Sequence, residues 1–153
     1  MRDIIRLLIA PWYLLGWISH VYLGLNNPEI YRPFGQTALS PAFTSFWVNN
    51  VMPHITAFAL LLAVFEISVG VLLISKGGWV KIGIVLSIAF NLFLVQLGLS
   101  YPTSNGMSDF LVNRLPNIVF VVLQIPLFWG QYKSTLPAMI QGWLRRSNRF
   151  RNV

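Results

Sequence analysis

The sequence predicts an all-α integral membrane protein: a four-helix bundle with both termini cytoplasmic, a long external loop and a basic amphipathic C-terminal tail. Composition, apolar run length and the placement of positive charge each point there. Of 153 residues, 56% are hydrophobic and 10% charged, with a mean hydropathy of +0.64. Soluble domains carry about 25% charged residues, so this chain has too few to cover a water-facing surface. Four stretches are long enough to cross a hydrocarbon core, which takes about 20 helical residues. A four-span path also collects Arg2, Arg6, Lys76, Lys81, Lys133, Arg145, Arg146, Arg149 and Arg151 on one side, leaving only Arg32 and Arg114 on the other. That asymmetry assigns the first side to the cytoplasm.

The spans are expected at residues 4–25, 53–75, 79–101 and 115–129, within a membrane domain covering 1–130. The first run ends at Leu25-Asn26-Asn27-Pro28 without a small-x-small cleavage site, so it reads as an uncleaved helix rather than a signal peptide. Pro53 and Pro116 are placed in the first turn of the second and fourth spans, where a missing N–H costs nothing. Gly77-Gly78 breaks the second span from the third. The external loop, 26–52, is rich in Pro, Asn and aromatics. Ser40-Pro41 reads there as an N-cap with a first-turn proline, predicting a short helix to about Asn49. Its aromatics are expected at the interface as a belt, with a lid over the bundle mouth as the alternative.

Residues 131–153 form the tail. Leu136, Ile140 and Trp143 fall at helical spacing ahead of the arginines, the pattern of an interfacial helix drawn to anionic lipids. No base-stacking platform accompanies the arginines, so nucleic acid is not an expected partner.

Zero cysteines exclude disulfides, thiol nucleophiles and thiolate metal sites. Phosphate-binding glycine loops, H-E-x-x-H and nucleophile elbows are also missing, and no metal site is expected.

Polar residues within the spans nominate a site, because they are costly in hydrocarbon. Glu66 is the single acid deep in a span. Counting from the flanking lysines, Glu66, Asn91 and Gln124 share a level about 14–15 Å from the cytoplasmic side, with Gln96, Asn117 and His20 about 21–24 Å from it. Ala59, Ala63, Glu66 and Gly70 lie on one stripe, and Gly16, His20 and Gly24 on another, with Tyr13 one heptad before His20. Small residues on both stripes predict close helix approach. Glu66, His20, Asn91, Gln96, Gln124 and Tyr13 are therefore the candidate ligand-binding residues. The bland alternative is that these groups hydrogen-bond across helices to hold the bundle. His20 and His54 differ in depth by about 12 Å, which argues against paired haem ligation. A hydrogen bond from His20 to a quinone carbonyl suits it better.

The order Gly16-x-x-x-His20, then Pro33-Phe34-Gly35, then Phe65-Glu66-Ile67-Ser68-Val69-Gly70-Val71-Leu72-Leu73 resembles the DoxX-like family of small four-helix membrane proteins. The match covers roughly the first 100 residues, with Glu66 and Gly70 at characteristic positions. The resemblance implies association with a quinol oxidase or with thiosulfate:quinone oxidoreduction, and some animal relatives look like assembly factors. Two functions are thus carried forward. One is a membrane subunit of a redox complex that binds a quinone or other apolar ligand between its helices. The other is a non-catalytic scaffold or assembly factor recruiting a partner protein. The expected setting is a bacterial or archaeal cell membrane. The lipid bilayer, a redox complex and a second copy of the chain are the expected partners.

Overall fold

The computed structural model describes residues 2–151. Every regular element among them is helical. Four are long and apolar enough to cross a membrane: α1 (Arg2–Asn26), α2 (Pro41–Ile74), α3 (Gly78–Leu97) and α4 (Gly106–Trp129). A fifth, α5 (Leu136–Arg151), follows, and short turns at Pro28–Tyr31 and Arg32–Gln36 join α1 to α2. Leu8, Leu15, Leu61, Val64, Val85 and Val122 point outward and stay more than half exposed. Such an apolar outer face belongs against lipid. The side chains of Arg146, Arg149 and Arg151, part of the expected polybasic end, lie outside the described residues.

Three boundaries differ from expectation, each for a local reason. Pro53 and Pro116 do not start their helices. α2 begins at Pro41, where Ser40 Oγ accepts from Phe43 N at 3.2 Å, and α4 begins at Gly106, where Asn105 Oδ1 accepts from Ser108 N at 2.8 Å. In both helices a π-helical turn, at Trp47–Val51 and Phe110–Arg114, lies directly before the proline. A proline inside a helix removes one hydrogen bond and crowds the carbonyl four residues back. A wide turn holding that carbonyl accommodates both effects. The third span stops early, at Leu97, because Gly98 takes φ 86°, which only glycine adopts easily and which turns the chain out of the helix, while its N–H still reaches Leu94 O at 2.7 Å.

Close approach at small residues sets the packing. α1 runs antiparallel along α2, with Gly24 facing Ala59, Gly16 facing Glu66, and Gly70 facing Leu14. α3 packs between α2 and α4, while α1 meets α4 mainly at its last turns, Ile125–Trp129. At Gly83 a Cβ would lie 2.9 Å from Leu72 Cβ and 3.1 Å from the Leu73 backbone nitrogen. Backbone cannot swing aside, so Gly83→Ala is expected to separate α2 from α3 and destabilise by about 1–3 kcal/mol. Thermal unfolding in mild detergent checks this, and an unchanged midpoint would refute the packing.

Two apolar cores result. One gathers Ile9, Val69, Leu73, Ile84 and Leu127 toward the end holding the N-terminus and the Gly77 turn, here called the basic end. The other gathers Tyr31, Trp47, Val51, Ile55 and Leu97 toward the loop end. A buried arginine closes each. Arg6 donates to Leu73 O and Ser75 O at 2.9 Å and to Asp3 at 2.8 Å, and stacks on Tyr132 at 4.6 Å. Arg114 donates to Val95 O at 2.8 Å, to Thr37 O and to Asp109 at 3.1 Å. Each guanidinium caps a helix C-terminus, where free carbonyls and the helix dipole favour a cation.

Candidate functional site

Between the two cores lies the polar layer, and antiparallel pairing of α1 with α2 builds its centre. Side chains on a helix lean toward its N-terminus. On α2 that direction is the loop end, and on α1 it is the basic end. Glu66 and His20 therefore lean toward each other, and Glu66 Oε1 comes within 3.4 Å of His20 Nε2. Gly16 makes room: a Cβ there would sit 2.8 Å from Glu66 Oε2. On the far side of the ring, His20 Nδ1 is 2.8 Å from the Tyr31 hydroxyl.

The result is a line of polar contacts, Glu66–His20–Tyr31, running from mid-bundle toward the loop, with a hydrogen bond in its His20–Tyr31 leg. Tyr31 is 6% exposed. Its phenol is pushed up to about 12, first by burial and then by the nearby Glu66 charge, so it stays a neutral hydroxyl through the ordinary pH range. The line borders a cavity of about 190 Å³ walled by Phe34, Trp47, Leu62, Phe90, Phe93 and Leu97. The loop aromatics supply part of that wall. Tyr31 and Trp47 turn inward and are joined by a 2.9 Å bond from Trp47 Nε1 to Tyr31 O, while Phe46 stays outside. Glu66 is 3% exposed, and its Oε2 has no hydrogen-bond partner among the described residues. A buried carboxylate oxygen left unpaired is costly.

The other candidate residues are divided by the structure. Tyr13 and Asn91 form a separate group with Ser87: the Tyr13 hydroxyl accepts from Ser87 Oγ at 2.8 Å and from Asn91 Nδ2 at 2.9 Å. That group ties α1 to α3 with its donors satisfied. Gln124 is buried but donates to Phe120 O of its own helix at 3.0 Å, with Oε1 unpartnered. Gln96 is exposed, and its backbone carbonyl, not its side chain, makes the contacts to Leu39 and Arg114. His54 is exposed within α2, in the short turn Met52–His54 that carries Pro53.

Levels counted along the axis therefore did not predict which groups meet. His20 and Glu66 fall about one turn apart by that count, and two side chains leaning together close the difference. Tyr31 lies among the loop aromatics, and no spacing rule links it to His20. Asn113 was also missed. Wholly buried, it accepts from Leu99 N and Tyr101 N at 3.1 and 3.0 Å and pins the segment after α3. The spacing of Asp109, Asn113 and Arg114 on one helical turn was the available signal. No family model matches the chain, and neither a curated protein nor a solved structure matches it.

Proposed function

We propose that this chain is a DoxX-like membrane subunit of a redox complex that binds a quinone head group in the Glu66 cavity and manages its protons. The observation carrying the reading is the unpartnered Glu66 Oε2 at the inner end of the Glu66–His20–Tyr31 line. The group fits the residues. A cavity of about 190 Å³ is smaller than the roughly 300–1,000 Å³ typical of drug-sized ligands, which suits a single substituted ring. Aromatic walls suit its faces.

Glu66 is the ligand-facing group in this reading. Protonated, it donates to a quinone carbonyl. Ionised, it accepts from a quinol hydroxyl. His20 has both ring nitrogens engaged, so it orients Glu66 and passes protons to it, with Tyr31 as the group nearest the loop end. A bound quinone supplies the two-electron chemistry, and the partner subunit supplies or removes the electrons. The test is equilibrium binding of decylubiquinone and its quinol to the purified full chain, compared with Glu66→Gln. Quinol affinity left unchanged by Glu66→Gln would refute the reading.

The same proposal puts the basic end in the cytoplasm of a bacterial or archaeal cell. A chain without cysteines allows a direct check with single replacements at exposed serines, Ser104→Cys at the loop end and Ser134→Cys at the basic end. A membrane-impermeant maleimide added to intact cells is expected to label position 104 and spare position 134 until lysis. The opposite pattern would invert the orientation.

The scaffold reading draws on α5, which leaves Trp143, Leu144 and Arg145 exposed beyond the four spans. It requires that a partner co-purify equally well with wild type and Glu66→Gln, and that α5 replacements abolish that association.

A further inference from the structure

A second cavity, of about 320 Å³, occupies the cleft between α1 and α4. It shares Trp12, Phe90, Leu94 and Leu99 with the Glu66 cavity but has polar groups of its own. The helices flanking it meet chiefly lower down, at Ile125–Trp129. At the cleft itself they are bridged by Trp12 and Phe120, ring centroids 5.9 Å apart. Trp12 is 66% exposed on the apolar outer face, so the cleft opens sideways, toward lipid.

One polar group in this wall is unexplained by the fold. Asn117 is 6% exposed, and its Nδ2 has no hydrogen-bond partner among the described residues. Its neighbours in the wall are already committed, Asn91 Nδ2 to Tyr13 and to Ser87 O. A buried amide without a partner weakens a fold, so its place in the wall is explained by an acceptor oxygen that arrives with a ligand. Asn117 lies one turn below Arg114, about 5 Å deeper than the cap on α3, and the Trp12–Phe120 pair lies below it again. An oxygen near the interface with an apolar chain running inward matches that order.

We propose that the α1–α4 cleft binds the carbonyl-bearing end of a hydrocarbon-chain amphiphile taken directly from the bilayer, with the Asn117 amide as hydrogen-bond donor. A prenyl-type quinone and the ester of a membrane phospholipid both offer that chemistry. The site has its own donor and does not depend on the role assigned to Glu66.

The test is native mass spectrometry of the full chain in detergent, titrated separately with decylubiquinone and with phosphatidylglycerol. Wild type, Asn117→Leu and Glu66→Gln are compared, with thermal unfolding of each. Losing one hydrogen bond is expected to weaken binding about tenfold in Asn117→Leu, while Tm holds or rises because an unpaired amide has gone. Glu66→Gln should keep its phosphatidylglycerol affinity. A loss confined to decylubiquinone supports the site and names a quinone as its occupant, and a loss confined to phosphatidylglycerol supports it and names a lipid. Equal affinity of wild type and Asn117→Leu for both probes overturns the proposal, as does the absence of binding by wild type. A lowered Tm in Asn117→Leu overturns it too, since the amide would then belong to the packing.

Discussion

Replacing Arg114 by methionine is expected to lower stability by about 3 kcal/mol, because removing one partner strands the others in a dry site. Arg114 is 4% exposed and binds three elements at once: the last turn of α3 through Val95 O, the loop through Thr37 O, and its own helix through Asp109. Methionine fills the volume but leaves the carbonyls of Val95 and Thr37 without this donor. Lysine is expected to restore little, since a single ammonium cannot reproduce a planar fork spread over three acceptors. For a chain of this size the loss corresponds to a fall in Tm of about 6–12 °C, readable by tryptophan fluorescence in mild detergent. A shift of a degree or less would show that the guanidinium carries no structural role. Because Thr37 follows the two short turns that hold Tyr31 and Phe34, the same variant should also loosen the wall of the Glu66 cavity. Asp109→Asn should cost less, as Asp109 is itself partly exposed and its neutral amide still accepts.

Arg114 also shows what the sequence could and could not convey. Four helices were legible because each needs only a long apolar run, and run length survives any arrangement of neighbours. Charge counting placed Arg6 and Arg114 at opposite ends, and it could not give their burial, which depends on which carbonyls lie across the bundle. Pro53 and Pro116 were read as helix starts because a proline is harmless there. That inference overlooked the π-helical turns that carry each helix past its proline. In the site, the stripe of Gly16, His20 and Gly24 against Ala59, Ala63, Glu66 and Gly70 already implied that α1 and α2 approach closely. The small residues did not name the partner, and it is the structure that sets Gly16 against Glu66. Helical depth alone could not give the lean of Glu66 toward His20, nor the return of Tyr31 from the loop, nor the outward turn of Gln96.

Glu66→Gln is expected to separate quinol from quinone. The amide keeps the size of the carboxyl and can still donate to a quinone carbonyl through its nitrogen, so quinone affinity should stay within about threefold. It cannot offer a negative oxygen to a quinol hydroxyl, and hydrogen bonds to charged groups are worth about 1.5–3 kcal/mol, so quinol affinity should fall about 10- to 100-fold. Glu66→Leu should weaken both while folding survives, because Oε2 has no partner among the described residues and the fold loses only the 3.4 Å contact of Oε1 with His20. His20→Ala has a different effect: it removes the group that orients Oε1 without touching Oε2. It should therefore slow proton-coupled turnover in the assembled complex more than it weakens binding. Titration of each purified variant with decylubiquinone and its quinol, beside thermal unfolding, distinguishes these outcomes. If every variant loses both ligands only in proportion to its loss of folded protein, the Glu66–His20–Tyr31 line is bundle structure. The scaffold reading would then stand in its place.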